Sequence, residues 1–159
     1  MNVLFLDPIT PNGATDPQGS TRLLNPNMGL LYMATYLKEN TGANVKILDA
    51  HNFGYNTLAA IIKEFNPQLA AISAKTFNIL GAYQTAKTVK ETLPNTVVVA
   101  GGAHPTALPE HTLDECPQLD AVAVGEGELT LTDLYRRLEK NGPGNRSWEG
   151  IPGLVYRDA

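Results

Sequence analysis

The chain has 159 residues, of which 43% are hydrophobic and 18% are charged, and its formal net charge is −4. This length fits one domain, and the composition is typical of a folded globular protein rather than a disordered chain. Lys and Arg are scattered along the sequence, which argues against nucleic acid as a partner. Because the N-terminus lacks a signal-peptide pattern and no apolar run approaches the roughly 18 residues of a membrane helix, we expect no membrane partner.

Cysteine usage adds one constraint. Cys116 is the single cysteine, so it cannot form an internal disulfide, and it has no neighbouring cysteine or spaced histidine pair with which to hold a metal. This pattern predicts a location in the reducing cytoplasm.

Five short apolar runs predict strands. Their hydrophobicity is nearly continuous rather than alternating, which is typical of a parallel sheet covered on both faces. The predicted strands are Asn2 to Leu6, Val45 to Leu48, Leu69 to Ser73, Thr96 to Ala100 and Ala121 to Val124.

Stretches of helical period separate these runs. The predicted helices are Met28 to Asn40, Thr57 to Phe65, Gly81 to Leu93 and Glu128 to Lys140, with a shorter irregular helix between Pro105 and Pro117. This alternation predicts an α/β fold of the flavodoxin-like, Rossmann-type class: a doubly wound, five-stranded parallel sheet in the order 2-1-3-4-5. Ligands of such sheets bind beyond the carboxyl ends of the strands.

The last part of the chain differs in composition from the part before it. Residues 141–159 are rich in Gly and Pro at first and end in IPGLVYRDA. We therefore predict a domain over residues 1–140 and, over 141–159, the start of a linker to a further domain.

Three loops at the predicted ligand edge carry unusual residues. The loop Pro8 to Gly19 is long but lacks the Gly-x-Gly-x-x-Gly spacing of a dinucleotide site, and an insertion without function is an alternative. The predicted third strand is followed by small polar side chains, and the fourth by a glycine pair, although helix capping and a tight turn also explain them. These residues are Ser73, Thr76, Asn78, Gly101 and Gly102.

Charged and metal-ligating residues give weaker signals. Glu128 suits the first turn of a helix, whereas Glu126, between Gly125 and Gly127, has no such structural explanation. The three histidines lie in different loops, and no Ser/His/Asp or Cys/His signature is present. We therefore predict no catalytic residue and no metal ligand in this chain.

Three segments together resemble the cobalamin-binding domain at the N-terminus of many radical S-adenosylmethionine enzymes. They are SAKTFN, GGAHPTALPE and LDAVAVGEGELTLTDL; the segments NPNMGLLYMATYLKE and IPGLVYRDA resemble the first helix of that family and its exit toward the catalytic barrel. The resemblance covers nearly the whole chain.

The resemblance implies that cobalamin lies across the carboxyl ends of the strands, with its nucleotide tail inserted beside the switch point. Carried over by position, the expected cofactor-binding residues are Asn12, Gly13, Ser73, Lys75, Thr76, Phe77, Gly101, Gly102, Ala103, His104, Gly125, Glu126 and Gly127. Methylcobalamin would then be a methyl donor for a methyltransferase or a related enzyme.

Two motifs of related proteins are displaced or absent. Asp49 to Gly54 matches the Asp-x-His-x-x-Gly motif of another cobalamin family, but it follows the second strand instead of the first, so we interpret the match as coincidence. The cluster-binding Cys-x-x-x-Cys-x-x-Cys is absent. Any iron-sulfur cluster and S-adenosylmethionine would thus belong to a C-terminal radical S-adenosylmethionine domain beyond residue 159.

Three alternatives stay open from the sequence alone. The first is a scaffold of the same fold that binds no cofactor and contacts a substrate or partner. The second is a receiver-type signalling domain, which is disfavoured because the third strand ends at Ser73 and Ala74 instead of an aspartate. The third is a small oxidoreductase that binds a nicotinamide or flavin, which is disfavoured by the glycine spacing.

Overall fold

The computed structural model describes residues 1–9, 27–52 and 54–157. Its centre is a six-stranded sheet in the order β2-β1-β3-β4-β5-β6, in which the first five strands are parallel and β6 runs antiparallel to β5. The strands are β1 (Asn2–Asp7), β2 (Asn44–Asp49), β3 (Leu69–Ser73), β4 (Val97–Gly101), β5 (Ala121–Ala123) and β6 (Leu154–Tyr156). The predicted fold class and the predicted order of the first five strands are confirmed.

Helices connect the parallel strands, close to the predicted spans. They are α1 (Met28–Asn40), α2 (Tyr55–Phe65), α3 (Ile79–Thr92), α4 (Ala103–Ala107), α5 (Pro109–Glu115) and α6 (Gly127–Asn141), with 3₁₀ turns at Ala50–Asn52 and Thr76–Asn78. The irregular helix predicted before β5 is the pair α4 and α5. Among the described helices, none has both the length and the apolar character needed to span a membrane.

The sheet separates two apolar cores, as expected for strands buried on both faces. Along β3, Leu69 and Ala71 point to one face while Ala70 and Ile72 point to the other. The first face is covered by α1 and α6, and the second by α2, α3 and α5. We refer to these as the α1/α6 face and the α2/α3 face.

The sixth strand corrects the predicted five-stranded sheet. Leu154–Tyr156 pairs with Ala121–Ala123, and the segment before it places Trp148 and Ile151 in the core of the α1/α6 face. The sequence signal was weak because β6 has only three residues and follows a stretch rich in Gly and Pro. Residues 148–156 thus pack on this domain, while the linker and the further domain stay predictions.

Candidate functional site

A cavity of about 360 Å³ opens on the α1/α6 face, at the carboxyl ends of the parallel strands. It exists because the strands carry small residues there, Ala71, Ser73, Gly101 and Ala123, where larger side chains would fill the space beneath α1 and α6. The lining residues are Gly29, Leu30, Met33, Ala71, Ile72, Ser73, Val99, Gly101, Gly102, Ala103, Thr106, Ala123, Gly125, Glu126, Gly127, Glu128 and Leu131.

Seven of the residues predicted from the sequence line this cavity. They come from the ends of three adjacent strands and from the loops that follow them: Ser73, Gly101, Gly102, Ala103, Gly125, Glu126 and Gly127. The topology explains the grouping, since the carboxyl ends of parallel strands meet at one edge of the sheet.

Gly101 and Gly102 are adjacent, but the structure requires glycine at only one of the two positions. At Gly102 the φ angle is 104°, and a Cβ atom would lie 2.6 Å from the Ala74 carbonyl oxygen, so the backbone itself requires glycine. At Gly101 a Cβ would meet only ordinary contacts, the nearest being 3.7 Å from the Ala123 carbonyl oxygen. A side chain at Gly101 is therefore compatible with the fold and would occupy space at the cavity wall.

Four other predicted residues lie beside the cavity, outside its lining: Lys75, Thr76, Phe77 and His104. We call them the rim group. His104 Nδ1 and Thr76 Oγ1 are 3.2 Å apart, and the Lys75 ammonium lies 5.8 Å from the centre of the Phe77 ring, which is 68% exposed. The predicted residues Asn12 and Gly13 lie outside the described residues.

The far wall of the cavity consists of helix residues that the sequence analysis did not single out. Gly29, Leu30 and Met33 come from α1, and Leu131 comes from α6. In the sequence they have the helical spacing of ordinary core residues, and only the packing of both helices over the strand ends places them at a cavity. Thr106 was also missed, although it belongs to the quoted GGAHPT segment.

Among the residues that the structure describes, two hydroxyl groups line the cavity, and each accepts a hydrogen bond from a neighbouring N–H group. The Asn27 side-chain amide donates to Ser73 Oγ over 3.2 Å, and the Gly125 backbone N–H donates to Thr106 Oγ1 over 3.0 Å. The second bond joins the loop after β5 to α4. Both hydroxyl groups are thus held in place by residues next to the cavity.

The charge of the lining is acidic. Glu126 is exposed and Glu128 is half-buried, while the lining residues that the structure describes include no Lys, Arg or His. The remaining walls are mainly apolar or small. This described part of the lining suits an uncharged ligand fragment better than a phosphate, which prefers basic side chains or N–H donors.

A separate group of ionisable side chains lies at the ends of β1 and β2. Ligand-type atoms of Asp7, Asp49 and His51 lie within 4.8 Å of one another, and the His51 backbone N–H donates to Asp49 Oδ1 over 3.0 Å. Burial raises the pKa of the Asp7 carboxyl, positive charge on His51 and a hydrogen bond from Asn27 oppose this effect, and negative charge on Asp49 adds to it. His51 attracts the Asp7 carboxylate electrostatically, and these residues lie outside the described cavity lining.

Comparison with known proteins identifies the family. The profile of the B12 binding domain matches residues 19–135, which include the strand ends and loops that form the cavity. The chain belongs to the B12-binding domain family.

The relatives of the chain are larger proteins. It is 39% identical over 99% of its length to an uncharacterized methyltransferase of Pyrococcus horikoshii, and spans 33% of that protein. It is 30% identical over 99% of its length to an anaerobic magnesium-protoporphyrin IX monomethyl ester cyclase of Cereibacter sphaeroides, spanning 25% of it. Over 57% of its length it is 33% identical to a cobalamin-dependent radical SAM methyltransferase of Streptomyces tokunonensis, spanning 13% of that protein.

Proposed function

We propose that this chain binds cobalamin, with the nucleotide end of the cofactor in the cavity of the α1/α6 face and the corrin ring over the carboxyl ends of the strands. The observation that carries the proposal is the cavity itself, which lies at the switch-point edge of a B12-binding fold. In doubly wound sheets this edge is where ligands bind.

The size and lining of the cavity fit the nucleotide end. Its volume of about 360 Å³ lies at the low end of the range for small-molecule sites, roughly 300–1,000 Å³, which suits a base with its sugar but not a corrin ring. Small and apolar side chains such as Ala71, Val99 and Leu131 offer flat walls for an aromatic base. Ser73 and Thr106 supply hydroxyl groups for its polar atoms.

The rim group supplies the surface for the corrin ring. Phe77 is 68% exposed and Met28, at the start of α1, is 70% exposed, so apolar area faces outward at this edge of the sheet. Lys75 and the paired His104 and Thr76 stand beside it and offer polar contacts. Such a mixture of apolar area and polar groups suits a ring bearing amide side chains.

When bound, cobalamin would supply a transferable methyl group. The residues of this chain would bind and orient the cofactor, and we assign no catalytic residue among them. We further propose that the chain is part of a longer radical S-adenosylmethionine enzyme, a methyltransferase or a related enzyme, whose iron-sulfur cluster and S-adenosylmethionine site belong to another domain. The names of the relatives and their greater length support this proposal.

A comparison of two corrinoids tests the proposal. The purified chain is titrated with hydroxocobalamin and, separately, with cobinamide, which lacks the nucleotide, and binding is followed by visible absorption after gel filtration. We expect about one equivalent of cobalamin to be retained and cobinamide to bind far more weakly. Equal retention of both corrinoids would contradict the placement of the nucleotide in the cavity, and retention of neither would favour a scaffold that binds no cofactor.

A further inference from the structure

Asn27 precedes α1 and connects the start of this helix to the end of β3. Its Oδ1 accepts a hydrogen bond from the Leu30 backbone N–H over 3.2 Å, which makes it the N-cap of the helix. Its Nδ2 donates to Ser73 Oγ over 3.2 Å. One side chain thus makes both bonds.

The direction of this pair of hydrogen bonds is fixed by chemistry. A backbone N–H can only donate, so the atom of Asn27 that faces Leu30 must be the amide oxygen. The NH₂ group therefore faces Ser73, and because it can only donate, the Ser73 hydroxyl must accept. The hydroxyl proton of Ser73 is then left to point elsewhere.

Thr106 is constrained in the same way on another side of the cavity. The Gly125 backbone N–H donates to Thr106 Oγ1, so this hydroxyl too is an acceptor toward the protein and keeps its proton for another partner. Ser73 and Thr106 both line the cavity. The two hydroxyl groups therefore complement a ligand fragment that carries hydrogen-bond acceptors.

We propose that Asn27 is a positioning residue that turns the hydroxyl proton of Ser73 into the cavity, where it donates to an acceptor atom of the bound nucleotide end. This inference rests on the proposed cobalamin site and goes beyond it, because it assigns a role to a residue that is not among the cavity-lining residues. Preorientation of the hydroxyl group saves the cost of ordering it on binding.

The test is a double-mutant cycle on cobalamin affinity. Serine caps helices about as well as asparagine but is too short to reach Ser73, so Asn27→Ser keeps the cap and removes the amide that donates to Ser73 and to Asp7. We expect Asn27→Ser to weaken hydroxocobalamin binding about threefold and Ser73→Ala about threefold to tenfold. The double variant should bind as Ser73→Ala does, because Asn27 acts through Ser73.

Two further variants complete the design. Asn27→Asp keeps the cap but offers an acceptor to Ser73, which would then donate to the carboxylate, so its affinity should fall at least as far as that of Ser73→Ala. The matched control Asn40→Ser, at the exposed C-terminal end of α1, should leave the affinity unchanged. Thermal unfolding without cofactor should show that Asn27→Ser is folded, with a Tm modestly below that of the wild-type chain because its bonds to Ser73 and Asp7 are lost.

The outcomes separate this inference from the proposed function. If the wild-type chain binds cobalamin but Asn27→Ser binds equally well, or weakens binding by the same factor in the Ser73→Ala background, Asn27 is not a positioning residue although the site is real. A wild-type chain that binds no cobalamin overturns both proposals.

Discussion

Asp120, at the amino end of β5, joins three parts of the molecule through one buried carboxylate. It is only 6% exposed, and it accepts hydrogen bonds from Lys90 on α3, from Arg146 in the segment before β6 and from the Val98 backbone N–H, over 2.6 to 2.7 Å. Charge-assisted bonds of this kind are strong, and the Val98 N–H has no access to water as a replacement partner.

Replacement of Asp120 by alanine should therefore destabilise the fold. We expect Asp120→Ala to lower the free energy of unfolding by about 2–4 kcal/mol, measured by urea denaturation. The control Asp133→Ala removes an exposed carboxylate that pairs with Arg136 over 3.5 Å, and should change stability by less than about 0.5 kcal/mol. Similar losses for both variants would contradict the role assigned to Asp120.

Asp7, at the end of β1, differs from Asp120, because removal of its charge should stabilise the fold. Burial raises the pKa of its carboxyl above the ordinary value of 3.8, so the folded state holds this proton more tightly than the unfolded state does. Ionisation of Asp7 therefore costs stability, and the cost grows as the pH rises through and above 3.8.

The isosteric variant Asp7→Asn should remove that cost. We expect it to have a higher Tm than the wild-type chain near pH 7 and nearly the same Tm near pH 3, where Asp7 is protonated in both states. The exposed replacement Glu91→Gln serves as control and should show no such pH-dependent gain. A wild-type chain more stable than Asp7→Asn near pH 7 would mean that the pairing of Asp7 with His51 outweighs its desolvation.

At the scale of elements, β6 and the segment before it complete the sheet and the α1/α6 core. Trp148 is 1% exposed, packs in the same core as Leu154, and meets the Tyr156 ring edge-on with 5.6 Å between ring centres. Trp148 is thus the largest buried side chain that this segment contributes to the core.

Truncation of Trp148 should show that this segment is part of the folding unit. We expect Trp148→Ala to cost about 3–5 kcal/mol in urea denaturation, since it leaves a large cavity in the core. Tyr32→Ala, at a residue that is 63% exposed, should cost less than about 0.5 kcal/mol. Equal stability of Trp148→Ala and the wild-type chain would indicate that residues 148–156 do not support the core.

The elements differ in how far the sequence predicted them. Helix α1 begins and ends where its apolar period predicts, because Asn27 caps its start and Leu30, Ala34 and Leu37 face the core at helical spacing. Strand β6 escaped prediction because it is held by pairing with β5, a contact distant in sequence. A local sequence pattern therefore predicts an element such as α1, but it does not contain the long-range pairing that holds β6.

The candidate site also contains some residues that the sequence could predict and others that it could not. Residues at the ends of the strands, such as Ser73 and Gly101, could be found because the predicted topology brings strand ends together. The helix wall of the cavity could not be found, since Leu30 and Leu131 have the spacing of ordinary core residues. The role of Gly102 was also beyond the sequence, because only the backbone geometry shows its approach to the Ala74 carbonyl.

In the molecule as a whole, the cavity lies on the α1/α6 side of the sheet. The α2/α3 core contains apolar side chains such as Ile72 and Val122, whereas the α1/α6 face carries the cavity at its carboxyl edge. The rim group and the cavity lie at this same edge. The chain spans a third or less of the length of the three relatives described above, and we expect the remainder of a longer protein to face this edge across the bound cofactor.

If the cavity receives the nucleotide end of cobalamin, a side chain that fills the cavity should prevent the cofactor from binding. Gly101→Val adds a side chain at the cavity wall whose Cβ meets only ordinary contacts with the fold, while the control Gly42→Val adds the same side chain between α1 and β2, where a Cβ has no atom within 4 Å. The measurement is the retention of hydroxocobalamin absorbance after gel filtration of each folded variant. We predict that Gly42→Val retains about one equivalent, as the wild-type chain does, and that Gly101→Val retains little. Full retention by a folded Gly101→Val would contradict the placement of the nucleotide end in the cavity.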